Sequence, residues 1–138
     1  MTEAIDNIIE NFSLLDNWED RYRYVIELGY ELPPFPENAR NDAHKVPGCI
    51  SQVWLLSSRD NSENPTLTFQ GDSDAHIVRG LIYILIAFYS GKKASEICNA
   101  DAEGLFETLG LNENLTPQRS NGLKSMIEQI RNESCMQN

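Results

Sequence analysis

Ile50-Ser51-Gln52-Val53-Trp54-Leu55-Leu56-Ser57 is followed, across the polar segment 58–65, by Thr66-Leu67-Thr68-Phe69-Gln70, and then by Gly71-Asp72-Ser73-Asp74 opening onto an apolar run that ends at Tyr89. The first piece is rich in Val, Trp and Leu. The second alternates Leu67 and Phe69 with Thr68 and Gln70, the two-residue period of a half-buried strand. Two strands with a polar connection between them read as a hairpin. Ser73 stands where it can cap a helix running from about Asp74 to Tyr89, which beyond Arg79 is apolar nearly all round and is therefore the predicted most buried helix. Gly91 and the two lysines after it close that helix.

Working outward toward the start, Ile5, Ile8, Ile9, Phe12 and Leu15 recur at helical steps, and Trp18, Tyr22, Val25, Ile26 and Gly29 do so again. This spacing predicts two amphipathic helices joined by a short turn. Asp16 or Asn17 can cap the second with Glu19 in its first turn, and Pro33 and Pro34 end it, because proline disfavours helix in the residue before it. Residues 33–45 read as a polar loop, with a third short strand expected at 43–46. Toward the end, short helices are predicted at 95–99 and 101–109, the latter stopped by Gly110. A final helix opens with Thr116 as cap and Pro117 at its first position, and aligns Leu123, Met126, Ile127 and Ile130 on one face.

With 138 residues, 41% of them hydrophobic, the chain is expected to form one domain over 1–138 with a modest core. Its net charge of −10 repels polyphosphate, so nucleic acid and anionic membrane are poor partners. Residues 1–48 hold ten acidic and four basic side chains, which makes the N-terminal helices the expected acidic face. The apolar uncharged run from Gly80 to Gly91 has 12 residues, short of the ~18 a membrane helix needs. No Lys or Arg precedes Arg21, so the start lacks the basic character of a secretory signal, and a cytoplasmic location is expected.

His44 and His76 lie 32 residues apart with no second ligand at helical spacing, and they read as ordinary surface or capping histidines. No nucleophile elbow and no phosphate-binding glycine loop is present. Three cysteines, an odd number without a CxxC pair, predict neither a disulfide framework nor a closed zinc site, and a reducing compartment fits them. Cys98 reads as a small buried hydrophobe and Cys135 as part of a fraying tail. Cys49 differs. It follows Val46-Pro47-Gly48 and precedes the strongest strand, which puts it at an expected loop tip backed by rigid sheet. Glycine lets the backbone turn sharply and lets a partner approach the sulfur closely.

Val46-Pro47-Gly48-Cys49-Ile50-Ser51-Gln52-Val53-Trp54, then Gly71-Asp72-Ser73-Asp74-Ala75 with Ile77-Val78-Arg79-Gly80-Leu81, then Leu115-Thr116-Pro117 with Arg119 and Asn121-Gly122-Leu123, together resemble the SufE and CsdE sulfur-acceptor proteins. The likeness runs from about Phe12 to Arg131, with Tyr83 as a departure that concerns packing. It implies an α+β fold, a small antiparallel sheet of about three strands with helices packed on it, similar to the scaffold proteins of iron-sulfur cluster assembly. The predicted order of helices and strands agrees.

The resemblance further implies a protein that is a co-substrate rather than a stand-alone enzyme. It would accept sulfane sulfur from a cysteine desulfurase as a persulfide on Cys49, activate that partner, and pass the sulfur to an Fe-S assembly scaffold or another acceptor. Pyridoxal phosphate belongs to the desulfurase, and no cofactor is expected in this chain. Gly48, Asp74 and Arg119 match the family as supporting residues. Two other classes compete: a metal or Fe-S scaffold, or thiol-based binding module, using Cys49, Cys98 and Cys135 together, and a thiol peroxidase, which needs a resolving cysteine.

Overall fold

The computed structural model describes residues 3–47 and 51–135. Gly48, Cys49 and Ile50 lie outside the described residues, and with them the expected loop tip. Helices α1 (Glu3–Ser13) and α2 (Trp18–Gly29) come first, then a 3-10 turn (Glu37–Ala39) and the strands β1 (Val53–Arg59) and β2 (Leu67–Ser73). Helices α3 (His76–Tyr89), α4 (Ala94–Asn99), α5 (Ala102–Thr108), α6 (Leu111–Asn114) and α7 (Pro117–Cys135) complete the chain. The architecture is α+β, as expected.

The sheet among the described residues has two antiparallel strands rather than about three, with Val53 opposite Ser73 and Arg59 opposite Leu67. The expected third strand at 43–46 is reduced to an isolated bridge between Lys45 and Trp54. Two backbone bonds remain, Val46 N–H to the Val53 carbonyl (2.8 Å) and Leu55 N–H to the His44 carbonyl (2.9 Å). Upstream, the His44 N–H donates to the Asn41 carbonyl (3.2 Å) and not to β1, so the pairing goes no further in that direction.

Asn17 caps α2 as read, its side chain accepting from Asp20 N–H at 2.9 Å. Ser73 does not cap the apolar helix. It belongs to β2, and α3 starts at His76 with Ala75 as its N-cap residue. The Ser73 hydroxyl is used elsewhere, donating to the Gln52 carbonyl and accepting from Ala75 N–H. Gly110, at φ 73°, ends α5 and turns the chain into α6, an element the periodicity did not reveal because it is only four residues long.

Helix α3 is the centre of the core, with Leu81, Ile82, Ile84, Leu85 and Tyr89 inaccessible or nearly so. Helix α2 crosses it at Gly29 and Gly80, where a Cβ on Gly80 would run into the Val25 carbonyl oxygen. Only glycine permits that approach. The apolar face of α7 closes the core from the far side through Leu123, Met126, Ile127 and Ile130. A smaller cluster of Phe35, Ala39 and Trp54 sits apart from it. No helix among the described residues is long and apolar enough to cross a membrane.

Candidate functional site

The first two described residues after Cys49, Ser51 and Gln52, are held from both sides. The Arg119 guanidinium, in the first turn of α7, donates to Ser51 Oγ at 2.8 Å. Its position is set by local sequence: Pro117 suits the first helical position, and Thr116 Oγ1 accepts from Arg119 N–H at 3.3 Å, fixing the turn that aims the side chain. On the other side, Gln52 N–H donates to Asp74 Oδ1 (3.0 Å), Asp74 N–H returns a bond to the Gln52 carbonyl (3.3 Å), and the Ser73 hydroxyl donates to the same carbonyl (2.7 Å).

Asp74 and Arg119, read from sequence as supporting residues, therefore converge on adjacent positions of the chain. Ser51 and Gln52 belong to the matching motifs, but nothing in the sequence singles them out, and Ser73 was marked only as a helix cap. Their roles are contacts between segments about twenty residues or more apart, which no local pattern signals. Gly48 and Cys49 are not among the described residues.

Beside Ser51 opens a cavity of about 480 Å³. Val53, Ile77, Leu81 and Met126 line it with apolar side chains, and Arg119 lines it too. A cationic donor lining an apolar recess favours a thiolate or other small anion held there, since fewer waters compete for the charge.

The other two cysteines are not free. Cys98 of α4 and Cys135, the last residue of α7, form a disulfide with their Cα atoms 5.7 Å apart. This corrects the expectation of no disulfide, and with it the pictures of Cys98 as a simple core filler and Cys135 as a frayed end, and it takes away the ground on which the cysteines pointed to a reducing compartment. The pairing spans 37 positions, so it became visible only once α7 had carried its end back to α4. It also removes two of the three thiolates that a metal scaffold would need. Among the described residues, no three His, Cys, Asp or Glu side chains converge in a way that could hold a metal ion.

The two histidines have ordinary settings. His44 Nδ1 lies 3.1 Å from Asn41 Oδ1, and His76 packs against the Tyr30 ring at 5.6 Å. Tyr83 is half-buried against the core, and that burial, with the charge of Glu31 behind it, raises its phenol above the ordinary range.

The chain has clear relatives among known proteins. The family model for SufE, described as an Fe-S metabolism associated domain, matches residues 6–134. An uncharacterized SufE-like protein of Rhizobium meliloti is 55% identical over 132 residues, covering 95% of this chain and 94% of that one. A second, from Rhizobium etli, is 57% identical over 132 residues, covering 95% of this chain and 89% of the relative. The solution structure of a hypothetical protein from Thermus thermophilus superposes with a TM-score of 0.71 at 19% identity, over 94% of this chain and 92% of that one, a likeness of fold.

Proposed function

The chain belongs to the SufE family, whose association is with Fe-S metabolism, and on that premise we propose that it takes sulfur from a cysteine desulfurase as a persulfide on Cys49 and delivers it to iron-sulfur cluster assembly. In the transfer, the Cys49 thiolate attacks the terminal sulfur of the donor persulfide. The donor S–S bond breaks, the donor cysteine leaves as thiolate, and the sulfane sulfur is now bonded to Cys49. Two electrons move with the breaking bond and no external oxidant is required.

The observation that carries this reading is the convergence of Arg119 and Asp74 on Ser51 and Gln52. A transfer cysteine works when it is presented in one orientation, and fixed neighbours in the chain, here Ser51 and Gln52, serve that end. Arg119 is bonded to Ser51, two positions after Cys49 in the sequence, and a cation close to a cysteine lowers its thiol pKa. Pyridoxal phosphate is needed only in the donor, which makes the persulfide. The expected site of action is the cytoplasm.

The test is mass spectrometry of the full chain after incubation with a pyridoxal-phosphate cysteine desulfurase and L-cysteine. Wild-type protein gains one sulfur atom on Cys49, and Cys49→Ser gains none. Equal sulfur on both, or none on either while the desulfurase is active, removes the proposal.

A further inference from the structure

Asp72 is a buried carboxylate, 6% exposed, near the end of β2. Charged side chains are seldom that buried unless they are paired. Asp72 has more partners than its charge requires. Oδ1 accepts from Ser73 N–H at 2.8 Å and lies 3.2 Å from Arg79 Nε of α3, which already matches one negative charge with one positive. A second guanidinium, from Arg40, reaches Oδ2.

Arg40 comes from a different part of the chain, the residue just after the 3-10 turn, and its other contacts are distinctive. Its guanidinium lies 5.5 Å from the centre of the Trp54 ring and 5.9 Å from that of Phe35, with Glu37 Oε1 3.2 Å from its Nε. Trp54 and Asp72 are direct cross-strand partners, so their side chains share one face of the sheet. Arg40 bridges that pair and thereby fastens the 3-10 turn to the sheet.

From the fastened turn the chain runs directly into the entry of the Cys49 stretch. Residues 44–46 are held to β1 by only two backbone bonds, Val46 to Val53 and Leu55 to His44, with Val46 buried against the core. Arg40 is thus the strongest polar tether, among the described residues, on the side of Cys49 opposite to Ser51 and Gln52. We propose that Arg40, held on buried Asp72 and stacked on Trp54, is a positioning residue that fixes the entry side of the Cys49 stretch for sulfur transfer. The proposal rests on the persulfide reading. Arg40 touches no reacting atom. Because Arg79 keeps Asp72 paired when Arg40 is replaced, the fold survives and the effect of the tether can be read alone.

The experiment compares wild type, Arg40→Met and Arg40→Lys with the same desulfurase and L-cysteine. Methionine keeps an apolar stem over Trp54 and lacks the guanidinium. Lysine restores the charge as a single point donor. In single turnover at saturating desulfurase, Arg40→Met is expected to slow sulfur uptake by about tenfold, the scale on which small misplacements of a reacting group act. The desulfurase concentration giving half-maximal uptake stays within about twofold, since encounter is not what the tether controls. Hydrogen exchange at 44–46 quickens by about tenfold or more, as local opening becomes easier. Arg40→Lys recovers at least part of the rate.

Uptake by Arg40→Met at the wild-type rate, or unchanged exchange at 44–46, overturns the proposal. So does a Lys variant no faster than the Met variant. Should Arg40→Met fail to fold, the Lys variant must still show a partial loss of rate at an unchanged melting temperature. Sulfur uptake that persists in Cys49→Ser sinks the persulfide reading instead, which separates the two failures.

Discussion

The two ends of α7 are built differently. At its first turn the helix meets the candidate site through one polar contact, Arg119 to Ser51, beside a cavity. At its last turn it is bonded covalently to α4 through Cys98 and Cys135, and Glu133 accepts from the Ser57 hydroxyl (2.9 Å) and from Arg59 (2.6 Å) on β1. Arg131 adds a 3.0 Å pair with Glu103 of α5. Between the ends, Leu123, Met126, Ile127 and Ile130 are buried in the common core. The difference teaches a division of labour. The distal end makes the helix a fixed strut, and the proximal end can then hold its polar contact in one place without covalent help.

The sharpest test of that division replaces cysteines at both places. Cys49→Ser abolishes sulfur uptake with little change in stability. Cys98→Ser combined with Cys135→Ser leaves uptake within about twofold. In the chain-entropy account, closing a loop of that length constrains the unfolded chain by about 3–4 kcal/mol, so the double variant should melt several degrees lower. Loss of uptake in the double variant would break the comparison and return Cys98 and Cys135 to the chemistry.

A smaller effect is expected at the proximal end. Arg119→Ala should slow uptake by roughly five- to tenfold, while its melting temperature falls by no more than about 5 °C, as for a single partly buried hydrogen bond. A large fall in stability with unchanged uptake would make Arg119 a structural residue only.

The distal end also carries a pH signature. Tyr89, packed beside Phe69 and Phe88, is fully buried, and burial pushes its phenol up to about 12, with the Arg131 charge pulling the other way. Its ordinary value is 10.0, so the unfolded chain ionises first. The contribution is complete below pH ~10 and is lost as pH rises through the folded value, up to about 2–3 kcal/mol. Denaturant titrations across that range should show the decline in wild type and a flatter curve in Tyr89→Phe. Glu103 behaves oppositely. The hydrogen bond from Arg131 holds it below the ordinary carboxylate range, so what that bond contributes is present at neutral pH and disappears in acid.

The smallest expected effect concerns association. Asp6, Glu10, Glu19 and Glu27 are exposed on α1 and α2, so binding to a desulfurase with basic patches should weaken as salt rises, exposed charges being screened over ~8 Å at physiological ionic strength. Calorimetry at several salt concentrations measures this, and a flat response would count against the acidic face as part of the contact.

How much of this was legible depends on how far apart the interacting residues are. Asn17 and Asp20, or Thr116 and Arg119, settle their contact within one helical turn, and both N-termini were readable. Ser73 looked like the same kind of signal and was not, because Gln52, 21 residues away, claimed its hydroxyl. The third strand looked equally plausible, yet the His44 N–H turns to the Asn41 carbonyl and a single bridge is left. Asp74 and Arg119 were legible as candidates only through motif resemblance, and their meeting around Ser51 and Gln52 came from the folded chain. Arg40 carried no signal at all: an arginine in a polar loop is ordinary until Asp72 and Trp54 are brought beneath it.

By itself, the order of polar and apolar residues determined the longer helices and the β1–β2 hairpin, that α3 lies at the centre, and which cysteine stands apart from the others. These depend on hydrophobic burial and capping, which act over a few residues. Only the tertiary structure decided that Cys98 meets Cys135, that Asp72 collects two arginines, and that Arg119 and Asp74 meet on Ser51 and Gln52. Those contacts join points tens of residues apart, and a chain specifies them only through the packing of the whole core.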